Sequence, residues 1–260
     1  MRPEDLLDPV RIAGIFLIFV RIGGMMSAAP FFGHTGVPGK IRLMLAILLS
    51  WVLVGFVTPP PANLVMRPLG LVVAIGAEAL TGISIGFAAQ FMFWGVQFAA
   101  HVMGFQMGLA MAEVFDPSTK ATTNPLGRLI MTLFLMVFIL LEGHHILLET
   151  LVVSFSAIPL GGGKLDALAP EFLSLAGGLF LTGLRLASPF MVTFFLVESA
   201  MGIFARVVPQ ADLFSLGLPL KLLVGLSLAI VFVQNLVPLI PDMVDLMATQ
   251  LLAIVTALGS

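Results

Sequence analysis

The chain contains no cysteine and no tyrosine, only two tryptophans and four histidines, and its charged residues amount to 10%. The missing cysteine excludes disulfides, thiolate-held metals, iron–sulfur clusters and thiol catalysis. The low charge carries no basic tract, and the net charge is −2, so nucleic-acid binding has no electrostatic footprint. Scarce Trp and Tyr remove the residues that usually anchor membrane helices at both lipid interfaces. The first ten residues set Glu4, Asp5 and Asp8 against Arg2, which is not the positive start of a cleaved secretory signal.

What the chain has in excess is apolar surface. Hydrophobic residues make up 59% of 260, with 22 Phe and 15 Met, and mean hydropathy is +1.13. Soluble domains carry roughly 45–50% apolar and ~25% charged residues. A chain of this length could not bury so much, and an all-α integral membrane protein is expected. A span needs ~20 apolar residues. Yet only residues 22–39, 43–66, 79–112 and 222–241 run 18 or more without Asp, Glu, Lys or Arg. The first of these is broken by Gly and Pro, of which the chain holds 26 and 17. The composition suits a membrane, but the division into spans is poor.

Apolar segments are expected over 10–29, 41–58 (stopped by Pro59-Pro60-Pro61), 69–112, 128–158, 171–206, 222–240 and 242–258. The 69–112 stretch is too long for one span and predicts two spans or one bent pair. Turn-rich chain is expected at 30–40, 113–127 and 207–221, with a glycine linker at Gly161–Gly163. Lys and Arg flank nearly every expected loop, so charge asymmetry assigns no orientation.

Arg11, Arg21, Glu78, Glu142, Glu149, Arg185 and Glu198 fall inside apolar segments. Each would cost roughly 2.5–3.5 kcal/mol at a helix centre in lipid. Glu78, Glu142, His145, Arg185 and Glu198 are therefore read as polar contacts within the helical assembly. Glu142 and His145, at i and i+3, match half of a carboxylate metal motif. The second Glu-x-x-His is missing, so a polar knot holding helices together is favoured and no metal or other cofactor is expected. Every Asp lies in a loop or at a helix start, and no nucleophile elbow, Walker A loop or dinucleotide fingerprint occurs. Catalysis has no residue support. Gly82 and Gly86, and Gly104 with Gly108, form small-residue pairs that let helices approach closely. Met103, Met107 and Met111 line a neighbouring face with an adaptable apolar surface. An ion-coupled transporter using Arg185, Glu198 and Glu142 would be the rival reading, but inverted repeats are not evident.

The block Pro209-Gln210-Ala211-Asp212-Leu213-Phe214-Ser215-Leu216-Gly217-Leu218-Pro219-Leu220-Lys221 resembles the FliR family of the flagellar type III export apparatus. The family pattern runs Pro-Gln-x-Asn-x-Phe-x-x-Gly-x-Pro-Leu-Lys, and Asp212 replaces its Asn. Other elements follow in family order: Pro30/Phe31 before Val37-Pro38, Glu78 before Gly82 and Gly86, Gln106-x-Gly108 before Asp116-Pro117, Gly143-His144 before Ser154 and Pro159, then Ala187-Ser188-Pro189. The virulence-secretion homologues look similar, and the 209–221 block favours the flagellar branch.

The resemblance implies a subunit of an export gate in the bacterial inner membrane, within the flagellar basal body. It implies FliP-like and FliQ-like neighbours, with FlhB-like and FlhA-like components nearby, and unfolded exported proteins as cargo. It also implies a FliP-like part over 1–165 and a FliQ-like hairpin over 166–260. The family's plug would fall on 106–123, including Gln106, Met107, Gly108, Met111, Val114, Phe115, Asp116 and Pro117. The corner Pro209, Gln210, Phe214, Gly217, Pro219 and Lys221 would serve assembly. Helices drawn partly out of the bilayer would explain the interior charges and the poorly divided spans.

Overall fold

The structure is a computed structural model, and it describes residues 8–32, 37–109, 124–163, 168–210 and 212–259. Among them there is helix and no strand: α1 (Pro9–Ala28), α2 (Gly39–Leu53), α3 (Ala62–Val65), α4 (Pro68–Gln106), α5 (Pro125–Leu140), α6 (Gly143–Ala157), α7 (Leu168–Val207), α8 (Leu213–Leu236), a 3-10 turn (Val237–Leu239) and α9 (Ile240–Gly259). The fold is all-α. Among the described residues four helical stretches are long and apolar enough to cross a membrane, 9–28, 68–106, 168–207 and 215–259, and the bent pair 125–140 and 143–157 would make a fifth if it is one span. Integral membrane character follows from these stretches.

Local chemistry sets the helix ends. Asp8 caps α1, its Oδ1 accepting the Val10 amide at 3.1 Å, and Pro9 occupies the first turn where no donor is needed. Asn124 and Pro125 repeat the device at α5, with the Gly127 amide donating to Asn124 Oδ1 at 2.7 Å.

Two expected boundaries shift. The 69–112 stretch, expected as two spans or one bent pair, is as far as Gln106 a single unbroken helix, α4, of 39 residues. At 1.5 Å per residue that is about 58 Å, nearly twice a ~30 Å hydrocarbon core. No proline falls between Pro68 and Gln106, and Gly82, Gly86 and Gly104 sit where α1 or Asn124 packs against the helix. The 128–158 segment, by contrast, divides at Leu141–Glu142. There Glu142 takes a left-handed backbone (φ 57°), and α6 starts at the next residue.

The chain folds as two compact units. The first holds residues up to Met92, Glu142–Ala176 and Val244 onward; the second holds Phe93–Leu141 and Gly177–Met243. Each draws on chain from both sides of residue 165.

In the first unit, α1 buries Leu17, Ile18, Ile22, Met25 and Met26. A Cβ on Gly82 or Gly86 of α4 would collide with the backbone carbonyls of Arg21 or Met25, so the two helices cross at backbone distance. α9 presents a stripe at helical spacing, Met247, Leu251, Ile254, Val255 and Leu258, all buried.

The second unit is built on phenylalanine. Phe93 packs edge-on against Phe134 and Phe138 at 5.0 and 5.2 Å between centroids, and Phe190 against Phe232 at 5.8 Å. These T-shaped geometries suit the ring quadrupole.

Candidate functional site

The most buried polar arrangement lies in the first unit. Arg21 stands on α1, fully buried, and Glu78 on α4 is 1% exposed. Arg21 Nε donates to Glu78 Oε2 at 2.5 Å and Nη2 donates to Glu78 Oε1 at 3.0 Å, a two-pronged pair. Nη1 donates to the Ser154 carbonyl (2.9 Å) and Oγ (3.2 Å), and Nη2 also to the Ile158 carbonyl (3.1 Å). A guanidinium has five N–H donors, and five bonds are formed. The cation also lies 4.4 Å from the Phe155 ring centroid. Glu78 Oε1 takes a further proton donor, the Gly161 amide, at 2.7 Å. Gly161 has φ +79°, a conformation glycine adopts without strain. One ion pair thus fastens α1, α4, the end of α6 and the glycine turn after it.

Sequence reasoning placed Glu78 among the polar contacts and counted Arg21 as a costly charge without assigning it a partner. The available signal was complementarity: one cation and one anion, each nearly alone in its apolar segment.

Gln106, Met107 and Gly108 form the end of α4. The Gly108 amide donates to the Phe105 carbonyl and the Leu109 amide to the Gly104 carbonyl, both at 3.0 Å, with Gly108 at φ +76°. This is a Schellman stop, which closes the last turn and turns the chain away from the helix axis. Met107 is fully buried, and a Cβ on Gly225 would meet its side chain. Met111, Val114, Phe115, Asp116 and Pro117 lie outside the described residues. Gly104 makes room for the Asn124 carboxamide, whose Nδ2 reaches the Ala100 carbonyl at 3.5 Å.

At the 209–221 corner, Pro209 and Gln210 are exposed after the end of α7. Phe214 lies in the first turn of α8, its side chain outside the described set. Gly217 is buried, and a Cβ there would meet the end of the Met201 side chain. Pro219 sits inside α8 and is exposed. Lys221 Nζ lies 2.6 Å from Glu198 Oε1, so a residue expected at the corner and one expected among the polar contacts form a single pair between α8 and α7.

Glu142 and His145 are not in a buried knot. They pair at 3.2 Å with side chains 73% and 60% exposed, because the left-handed turn at Glu142 carries both outward. Among the described residues no three His, Asp or Glu come together as a metal site would require. Arg185 is exposed on α7, and none of the described residues forms a hydrogen bond or ion pair with its guanidinium.

These placements are scaffold features: a buried clamp, a helix stop and a paired corner. The family model described as "Bacterial export proteins, family 1" matches residues 12–247. The flagellar biosynthetic protein FliR of Escherichia coli K12 is 34% identical over 226 residues, covering 86% of this chain and 85% of the relative. FliR of Bacillus subtilis 168 is 33% identical over 224 residues, covering 83% and 84%. FliR of Aquifex aeolicus is 29% identical over 214 residues, covering 82% of each. A match of this extent, with the 209–221 block inside it, makes this chain a member of the FliR family of bacterial export proteins.

Proposed function

We propose that this protein is a structural subunit of the flagellar export gate, forming with FliP-like and FliQ-like subunits the channel through which unfolded flagellar proteins leave the cell. Similarity to flagellar FliR proteins over more than four-fifths of the chain carries the reading. In it, residues 1–165 act as a FliP-like part and 166–260 as a FliQ-like hairpin, with FlhB-like and FlhA-like components alongside. The assembly sits in the inner membrane, within the basal body. The protein holds a passage rather than making or breaking bonds in its cargo.

Two features support this role. α4 and α7, of 39 and 40 residues, exceed what a bilayer of ~30 Å can cover, as helices projecting into a protein assembly would. Large apolar side chains are also exposed, among them Met44 and Trp51 on α2, Phe56 in the turn after it, Phe195 on α7 and Leu223 on α8. Other subunits would bury them.

The plug is assigned to residues 106–123. The Schellman stop at Gly108 ends α4, and the sequence that follows is apolar at first (Met111, Val114, Phe115) and then reads Asp116-Pro117. Apolar side chains close a narrow passage by excluding water. The test is deletion of residues 109–123 in cells expressing the whole gate, with ion leak as the readout. Leak should rise while FliP-like and FliQ-like chains still co-purify. An unchanged leak overturns the plug, and failure of the intact chain to co-purify with either neighbour overturns the gate assignment.

A further inference from the structure

α7 carries a charge that the described residues around it do not answer. Between Glu171 and Glu198 the helix runs 26 residues, 172–197, with Arg185 as its sole charged residue. Those residues span about 39 Å of helix. A ~30 Å slab of lipid laid anywhere within that stretch keeps Arg185 at least about 10 Å inside both edges.

The side chain points outward. α7 buries Leu186, Ala187, Phe190 and Phe194 and leaves exposed Leu181, Leu184, Val192 and Phe195 on the face that holds Arg185. Among the described residues the guanidinium has no hydrogen-bond or ion-pair partner, whereas Glu198 of the same helix has Lys221. The backbone at this point is also adapted. Pro189 has no N–H to give the Arg185 carbonyl, and the Ser188 hydroxyl donates to that carbonyl instead, at 2.8 Å. The helix therefore continues unbroken past the proline and holds Arg185 at the centre of an apolar face.

A buried cation needs an anion, and an apolar face of this length needs a cover. We propose that the Arg185 face of α7 docks a helix of another export-apparatus subunit, an apolar helix bearing one carboxylate at the depth of Arg185. The proposal rests on the gate reading above and adds the chemistry of one interface. Lipid would fit the leucines and phenylalanine but not the cation. Arginine favours a carboxylate because its planar fork makes two parallel bonds.

The experiment uses the full chain co-expressed with its gate neighbours and purified in mild detergent. Arg185→Leu removes no hydrogen bond or ion pair within the described residues and makes the face more apolar, so insertion is preserved. The partner carboxylate is then buried without a counter-charge, and recovery of at least one neighbour should fall tenfold or more. Arg185→Lys should keep more of it than Arg185→Leu. Arg185→Glu should lose it, and Lys or Arg at one membrane-embedded acidic position of a partner chain should restore it. Since the chain has no cysteine, Arg185→Cys gives a unique thiol. It should resist a water-soluble maleimide in the assembled gate and react once the subunits are separated. Wild-type recovery of both neighbours by Arg185→Leu overturns the docking, as does rescue of Arg185→Glu by a change in this chain alone. If the wild-type chain recovers no neighbour, the gate reading itself falls and takes this proposal with it.

Discussion

Arg21 and Glu78, 57 residues apart, meet through two parallel hydrogen bonds in a site where neither is more than 1% exposed. Burying two charges is expensive, and such a pair is tolerated only when geometry is good and the remaining donors are satisfied. Ser154, Ile158 and Gly161 supply that satisfaction. Arg21→Met would leave the Glu78 carboxylate buried and unpaired, which costs about 3–5 kcal/mol. Glu78→Leu would strand the guanidinium with similar effect. The double variant Arg21→Met/Glu78→Leu should recover most of the loss, since apolar replacement of a buried pair is often nearly neutral. The readout is the temperature at which the detergent-solubilised chain loses its monodisperse elution. Single variants as heat-resistant as the wild type would remove the clamp from this account.

The all-α class was legible because composition and apolar length are properties of the chain itself. So were the ends of α1 and α5, where Asp8-Pro9 and Asn124-Pro125 place a cap and a proline in order. The extent of α4 was not, because chain alone does not distinguish two spans from one helix twice as long as a bilayer. The break at Glu142 was hidden for a different reason: a left-handed Glu leaves no compositional trace, unlike the glycines at 108 and 161. The polar pairs were half legible. Glu78 and Glu198 could be singled out as charges out of place and Lys221 as part of the 209–221 corner, but pairing Glu78 with Arg21 and Glu198 with Lys221 depends on how helices cross.

The helix crossing at Gly82 separates packing from propensity. Gly76 and Gly82 share α4, yet a Cβ on Gly76 meets nothing within 4 Å, while one on Gly82 collides with the Arg21 carbonyl. Gly76→Ala should stabilise the isolated chain by about 0.5–1 kcal/mol, the helical preference of alanine over glycine. Gly82→Ala should destabilise it by about 1–3 kcal/mol, the usual range for overpacking against atoms that cannot yield. Thermal aggregation of the two variants side by side decides this, and equal behaviour would mean that α1 and α4 do not cross closely.

Lys221 can act inside the chain, through Glu198, or outside it at a subunit contact. The pair is 25% and 53% exposed, and exposed ion pairs contribute about 0–1 kcal/mol. Lys221→Glu should therefore barely alter the heat resistance of the isolated chain but should reduce recovery of FliP-like and FliQ-like subunits. The exchange Lys221→Glu with Glu198→Lys rebuilds the internal pair with its charges reversed. Recovery should stay low, because a docking surface sees the reversal. Restoration to the wild-type level would show that Lys221 works only by holding α8 to α7.

Gly108 tests the helix stop at the entrance to the assigned plug. Its φ of +76° suits glycine, and a side chain there carries a left-handed penalty of about 1–2 kcal/mol. Gly108→Ala should open the Schellman turn, in which the Leu109 amide donates to Gly104 and the Gly108 amide to Phe105. Both amides should then exchange with solvent faster. Gly108→Asn should do less, since Asn tolerates the left-handed region better than other side chains. If the stop also aims the segment that follows, ion leak through the assembled gate should rank in the same order: alanine above asparagine, and asparagine above wild type. Faster exchange without added leak would separate the two roles, leaving Gly108 as a helix terminator with no part in sealing.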